Sequence, residues 1–188
     1  MIHTLIVGPR HVGKTTLING VLRELDRPVY GYQTKKETAL SDEQMREPVY
    51  IYEPGKPRFQ STENLIGYCS PAEGFQTMAG VFDAYAPKIL NPVPDQGVIV
   101  FDEIGFMESR EKQFCDAVLA RLNGDIPVIA AVKNKKGFAF LEKVRTHPKC
   151  RCFSITEENR DTLFYEILEF MRAQIELSTG VSSGKDKK

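Results

Sequence analysis

The segment Gly8-Pro9-Arg10-His11-Val12-Gly13-Lys14-Thr15 constrains this chain more than any other. Two glycines with four residues between them, followed by Lys and Thr, form a phosphate-binding pattern with a mechanism behind it. The glycines let the backbone curl until its N–H groups point inward at phosphate oxygens, and the following helix adds the positive end of its dipole. In such a loop Lys14 reaches the β- and γ-phosphates, Thr15 offers its hydroxyl to Mg²⁺, and Thr16 comes within reach of the α-phosphate. The mechanism requires a strand before the loop and a helix after it. Thr4-Leu5-Ile6-Val7 is a short apolar, β-branched run suited to a buried parallel strand, and it ends at Gly8. Leu17, Ile18, Val21, Leu22 and Leu25 then recur at helical spacing until Asp26-Arg27-Pro28 stops them. Gly8, Pro9, Arg10, His11, Val12, Gly13, Lys14, Thr15 and Thr16 are therefore the expected binding residues, and a nucleoside triphosphate is the expected ligand.

Val98-Ile99-Val100-Phe101 is a second buried-strand pattern, and it ends in two carboxylates, Asp102 and Glu103. This has the form of a Walker B strand. Asp102 at the strand end is placed to hold Mg²⁺ from the side opposite Thr15. Glu103 is placed to orient and deprotonate the water that attacks the γ-phosphate, as a general base. An acidic pair after an apolar strand is commonly only a solvated turn. The upstream loop is what gives this pair a function.

Along the chain, strand and helix patterns alternate, which argues for an α/β fold with helices on both faces of a mostly parallel sheet. Val29 to Thr34 reads as a second strand. Pro48-Val49-Tyr50-Ile51-Tyr52, the Pro/Gly turn from Glu53 to Pro57, and a return along Arg58-Phe59-Gln60 read as an antiparallel excursion. Met78, Val81, Phe82 and Tyr85 mark a helix expected to end before Pro87. Phe114, Cys115, Val118, Leu119 and Leu122 mark another, stopped at Asn123-Gly124, and Val128 to Val132 reads as a buried strand. A short helix follows through Phe138, Leu141 and Val144, then a strand from Arg151 to Thr156 and a last helix carrying Leu163, Phe164, Ile167, Leu168 and Met171. The expected organisation is one domain over residues 1–175, with a divergent β-rich excursion at 35–75 and a disordered tail at 176–188.

Asp102-Glu103-Ile104-Gly105-Phe106-Met107-Glu108 resembles the acidic signature of the cancer-related nucleoside-triphosphatase family, and Thr156-Glu157-Glu158-Asn159-Arg160 resembles its Thr-x-Glu-Asn-Arg segment. Gly31-Tyr32-Gln33-Thr34 is similar to the family's Gly-aromatic-x-Thr strand. The resemblance covers residues 1–173 and is weakest between Lys35 and Ser70. It implies a RecA-like P-loop fold and slow Mg²⁺-dependent hydrolysis of several nucleoside triphosphates. The chain departs from the pattern at Phe106, where the family usually has Lys, at Ser109 in place of Leu, and at Lys35-Lys36 in place of acidic residues. The change at Phe106 implies that a cation near the phosphates is missing.

Three further segments carry two readings each. Asn134-Lys135-Lys136-Gly137 follows a strand as a guanine-reading Asn-Lys-x-Asp motif does, but Gly137 stands where the guanine acceptor belongs. The loop reads as solvated surface, with Lys133, Lys135 or Lys136 within reach of phosphate or base as the second reading. Asn159 and Arg160 open the final helix, where they contact the base or serve as capping chemistry, and the resemblance implies that both contact the nucleotide. Glu108 is a third candidate catalytic residue, organising the attacking water or a basic partner. With Arg110 and Lys112 it otherwise reads as exposed helix-start charge.

Lys and Arg number 25, as do Asp and Glu, so there is no net field to draw in nucleic acid or an anionic membrane. No apolar run approaches the roughly 18 residues of a membrane span, and the chain enters a strand at once, so cytoplasmic location is expected. Cys69, Cys115, Cys150 and Cys152 show no disulfide framework, and His147, Cys150 and Cys152 fall short of a zinc site's four convergent ligands. The reading is a Mg²⁺-dependent nucleoside-triphosphatase with broad base tolerance. Two alternatives stand: a small-molecule or nucleoside kinase using the same loop, and a nucleotide-dependent switch or assembly protein.

Overall fold

A computed structural model describes residues 1–182. Its elements are β1 (His3–Gly8), α1 (Lys14–Leu25), β2 (Val29–Lys36), β3 (Glu47–Tyr52), β4 (Leu65–Ser70), β5 (Gly74–Thr77), α2 (Val81–Leu90), β6 (Val98–Ile104), α3 (Lys112–Asn123), β7 (Val128–Lys133), α4 (Ala139–Arg145), β8 (Cys150–Ser154) and α5 (Arg160–Ser182). Among the described residues the strands form one sheet in the order β5-β4-β3-β2-β6-β7-β1-β8. Pairing is parallel from β2 through β8 and antiparallel from β2 out to β5. This is the expected mostly parallel α/β sheet with an antiparallel excursion at one edge.

The near-continuous apolar runs of the central strands follow from burial on both faces. Alternate residues leave a strand on opposite sides. Leu5, Phe101, Ala130 and Val132 thus join α2, α3 and α4 in one core, while Ile6, Val100, Ile129 and Ala131 join α1 and α5 in the other. Tyr32 anchors the first core, stacked 5.0 Å from Phe101 and tilted 5.1 Å from Phe114. No helix among the described residues is long and apolar enough to cross a membrane.

Three expectations are corrected. The helix α2 runs through Pro87 to Leu90 instead of ending before it. An interior proline costs about 3 kcal/mol, but stopping early would expose Ile89, and each large apolar side chain buried contributes roughly 1.5–3 kcal/mol. Met78 precedes this helix and is exposed. The strand that returns after the Pro/Gly turn is β4, not Arg58-Phe59-Gln60. Asn64 closes a wider loop there, donating to the carbonyls of Ile51 at 3.1 Å and Phe59 at 3.0 Å. Finally α5 continues to Ser182, so the stretch 176–182 is helical. The part of the expected tail at 183–188 lies outside the described residues.

One glycine is needed for the sheet to close. Gly31 has φ +101°, and a Cβ there would lie 2.1 Å from the Val100 carbonyl oxygen of the paired strand. Backbone cannot yield as a side chain does, so β2 and β6 would have to separate. Gly31→Ala is therefore expected to destabilise the chain by about 3 kcal/mol or more, read as a shift in the urea unfolding midpoint. A shift of less than a third of that would show that the pairing tolerates the strain.

Candidate active site

The parallel strands β1, β6, β7 and β2 all end at the same edge of the sheet, which is where an open α/β sheet binds ligands. From β1 the chain turns through residues 9–13 into α1. The turn needs positive φ at His11 (+63°) and Gly13 (+105°). Gly8 admits no larger residue, since a Cβ would meet the Ile155 carbonyl oxygen at 2.6 Å. Val12 is buried in the α1–α5 core and anchors the loop from within. Pro9, Arg10, His11, Thr15 and Thr16 are exposed around it.

Side chains from three strands meet beside this loop. The Lys14 ammonium donates to the carbonyls of Gly8 (3.1 Å) and Pro9 (2.8 Å) and pairs with Glu103 Oε1 at 3.3 Å. The Thr15 hydroxyl donates to Asp102 Oδ1 at 3.2 Å. Thr34, at the end of β2, donates to the Asp102 carbonyl and accepts from the Glu103 N–H, both at 3.3 Å. It thereby holds the backbone on which both carboxylates sit. Lys133, at the end of β7, pairs with Glu103 Oε2 at 3.7 Å. Glu103 thus lies between two ammonium groups.

Asp102 is 5% exposed, and burial pushes its carboxyl up to about 6 against the opposing pull of the Thr15 hydrogen bond. Glu108 is 2% exposed, not the solvated helix-start charge that its neighbours suggested. Its Oε1 accepts from the Gly105 N–H at 2.6 Å, folding the segment after β6 into a 3-10 turn at Glu108–Arg110. Burial pushes its carboxyl up to about 7. Arg110 and Lys112 do not join the site, and Lys112 is exposed and paired with Asp116.

A cavity of about 1020 Å³ opens beside Lys14, Thr34, Glu103 and Glu108, while Thr15, Thr16 and Asp102 lie outside its lining. Gly8, Pro9, Arg10, Lys14, Glu103 and Glu108 line one part, with Lys133, Asn134 and Lys135 beside them. Val49, Ile66, Phe75, Phe82, Phe106 and Met107 line the other. Lys133 and Lys135, read from sequence chiefly as solvated surface, therefore border the cavity. The Lys133 ammonium, at the end of β7, lies 4.9 Å from the centroid of the Phe106 ring. Asn159 and Arg160 lie outside this lining. The Asn159 side chain accepts from the Thr156 N–H at 2.8 Å and donates to the Ser154 carbonyl at 2.9 Å, which is capping chemistry for α5. Arg160 is exposed beside Asp161. No group of three or more His, Cys, Asp or Glu side chains converges among the described residues, and all four cysteines are free thiols.

Strand, glycine loop and helix at the carboxyl edge of a parallel sheet, with a buried Asp facing the loop's Thr, define a P-loop protein of the α/β class. Residues 3–168 match the family model described as NTPase, and the chain belongs to that family. It is 28% identical to the cancer-related nucleoside-triphosphatase homolog of Bos taurus over 91% of this chain and 97% of that one. It is 29% identical to nucleoside-triphosphatase THEP1 of Thermococcus kodakarensis over 87% of this chain and 91% of that one. The fold is that of the THEP1 crystal structure from Aquifex aeolicus, with a TM-score of 0.69 at 23% identity over 90% of this chain and 99% of that one. The solution structure of a human cancer-related nucleoside triphosphatase gives a TM-score of 0.65, covering 92% of this chain and 98% of that one at 23% identity.

Burial of Glu108 carries a pH consequence. Its carboxyl holds a proton more tightly in the folded chain, at about 7, than at the ordinary 4.5 of the unfolded one. Between those values the native state binds more protons, so this group's contribution to stability falls as pH rises. Glu108→Gln keeps an oxygen for the Gly105 N–H and has no charge to bury. It is expected to match the wild type near pH 4 and to exceed it at pH 8 by up to about 3 kcal/mol. Urea unfolding at the two pH values measures this, and parallel curves for both proteins would remove Glu108 as the cause.

Proposed function

We propose that this chain hydrolyses nucleoside triphosphates to the diphosphate and phosphate. The observation that carries the reading is Glu103, a carboxylate held by Thr34 at the mouth of the phosphate loop and bridged to that loop's lysine. The N–H groups of residues 10–16 and the start of α1 would bind the phosphate oxygens, and Lys14 would leave Glu103 for the β- and γ-phosphates. Water held by Glu103 then attacks the γ-phosphorus. Its proton passes to the Glu103 carboxylate, the bond to the β,γ-bridging oxygen breaks, and the diphosphate departs with the electron pair.

The donor set fits a hard divalent cation. A hydroxyl and a buried carboxylate converge at 3.2 Å, and the carboxyl is pushed up to about 6 by burial with no full positive charge bonded to it. Thr15 and Asp102 would hold Mg²⁺, which when bound neutralises phosphate charge. Glu108 serves by shaping the turn after β6, since its oxygen is engaged by Gly105. Broad base tolerance is part of the reading. Gly137 offers no carboxylate to guanine, and the Asn159 amide is occupied by its own loop. Four free thiols support a reducing, cytoplasmic setting.

A second reading rests on the apolar half of the cavity, which extends beyond Glu103 toward Val49, Ile66 and Phe75. A small molecule with an apolar body and a hydroxyl group directed at Glu103 would take the phosphoryl group in place of water. Diphosphate formed in excess of free phosphate, in the presence of a hydroxyl compound, marks this case.

Lys14→Ala is expected to abolish phosphate release and strongly weaken triphosphate binding. Glu103→Gln is expected to slow release by roughly 10²–10⁴ while affinity stays within a few fold. Full turnover in either variant, followed by phosphate release from purified chain, would overturn its assigned role. ATP and GTP should bind with affinities within about tenfold of each other. Competition titration measures this, and a GTP preference of several orders of magnitude would exclude base tolerance.

A further inference from the structure

Glu103 carries two ammonium partners on its two oxygens, and they come from different parts of the fold. Lys14 reaches Oε1 from the phosphate loop, and Lys133 reaches Oε2 from β7. The register explains how Lys133 arrives there. It is the last residue of its strand and pairs with Gly8, the first glycine of the loop. Its stem crosses Gly105, with Cδ 3.5 Å and Nζ 3.7 Å from where a side chain on that glycine would begin.

The ammonium is also supported from beneath. Lys133 Nζ lies 4.9 Å and Lys135 Nζ 4.1 Å from the centroid of the Phe106 ring. That ring is itself wedged edge-on to Phe75 at 5.1 Å and beside Phe138 at 5.5 Å. The loop backbone is pinned by Arg145, which donates to the carbonyls of Lys133 (2.8 Å) and Lys135 (3.2 Å). Of the other cations, Lys36 is paired with Glu47, Arg145 is held by Glu142 and those two carbonyls, and Arg10 and Lys135 line the cavity without touching Glu103. A negative group held between Lys14 and Lys133 has the charge pattern of a bound γ-phosphate. A triphosphate in the loop would outbid one carboxylate for both ammoniums, because it brings several negative charges to the same few ångströms.

We propose that Lys133 is a second phosphate-facing cation of this site. It contacts the γ-phosphoryl group of a bound triphosphate and stabilises the charge that spreads over it during transfer. Phe106 is the positioning residue that keeps the ammonium at the cavity through its ring face. Lys133 pairs with Glu103 here, and ligand binding releases that carboxylate to act as base. The assignment rests on the triphosphatase reading, and its test separates the two.

The full chain is assayed for phosphate release, and for equilibrium binding of a non-hydrolysable triphosphate analogue and of the diphosphate, each with Mg²⁺. Lys133→Met is expected to lower turnover by roughly 10²–10³-fold, the effect of removing one charge-stabilising donor. The affinity ratio of triphosphate analogue to diphosphate should fall about tenfold or more, with diphosphate affinity within about threefold of wild type. Lys133→Arg should restore most of that ratio. Phe106→Leu should lower turnover while diphosphate affinity holds, and Phe106→Tyr should recover it. Lys143→Met, at an exposed position of α4, should change nothing. Unchanged turnover with an unchanged affinity ratio in Lys133→Met overturns the assignment. So does an equal loss of di- and triphosphate binding, which would make Lys133 a loop anchor only. A wild-type chain that binds triphosphate but releases no phosphate overturns the hydrolase reading alone, and the affinity ratio still decides Lys133. A wild-type chain that binds neither nucleotide overturns both.

Discussion

Everything at the site depends on β1 being paired in parallel with β7 on one side and β8 on the other, with β6 next in line. Parallel strands buried on both faces have no room for charge along their length, so the chain releases its charged residues where the strands end. Because the strands run in one direction, those ends share an edge. Gly8, Asp102, Glu103 and Lys133 are brought together by register alone, before any side chain chooses a partner. Helix packing on the two faces then fixes that register, since a slip of one residue would exchange the Leu5 and Ile6 cores.

The edge is charged but poorly solvated, and this shapes its chemistry. Asp102 and Glu108 are held at higher proton affinity than free carboxyls because burial penalises their ionised forms. Glu103 is more exposed and is neutralised by two lysines instead. In this chain, then, one carboxylate is set up to lose its charge penalty when a cation arrives, and another to lose its cations when an anion arrives. A triphosphate with its cation, as proposed above, would supply both at once.

Much of this was legible in the sequence, because the informative signals are local. The phosphate loop, its strand and helix, and the acidic pair after β6 are contiguous patterns with a backbone mechanism. What was missed is non-local. Pro87 looked like a stop because propensity is local, whereas Ile89 and Tyr85 hold α2 together through the core. Arg58-Phe59-Gln60 looked like a strand because the amide of Asn64, which closes the loop around it, has no signature in spacing. Glu108 looked exposed because its neighbours Ser109 and Arg110 are polar, and its burial comes from the turn closed by Gly105. Lys133 was one lysine among three in a polar loop. Only the pairing of its strand with Gly8 distinguishes it, and that pairing joins residues more than a hundred positions apart.

Phe106 shows how a local departure can be absorbed by such non-local geometry. An aromatic ring in place of a cation subtracts a positive charge from the segment after β6, and taken alone that change weakens phosphate chemistry. In three dimensions the ring joins β5 to the loop after β7 through Phe75 and Phe138, and it places its negative face toward two lysines. The charge is moved from one strand end to the next instead of being lost. The move has a geometric consequence. A lysine at 106 would depend on its own flexible stem, whereas Lys133 is held at the strand end, at the Arg145-pinned carbonyl and over the ring. The same ring closes the apolar side of the cavity, so the surface that positions the cation also limits the water around it. Those two effects act together, because the pull of an ammonium on a phosphoryl oxygen grows as water is excluded.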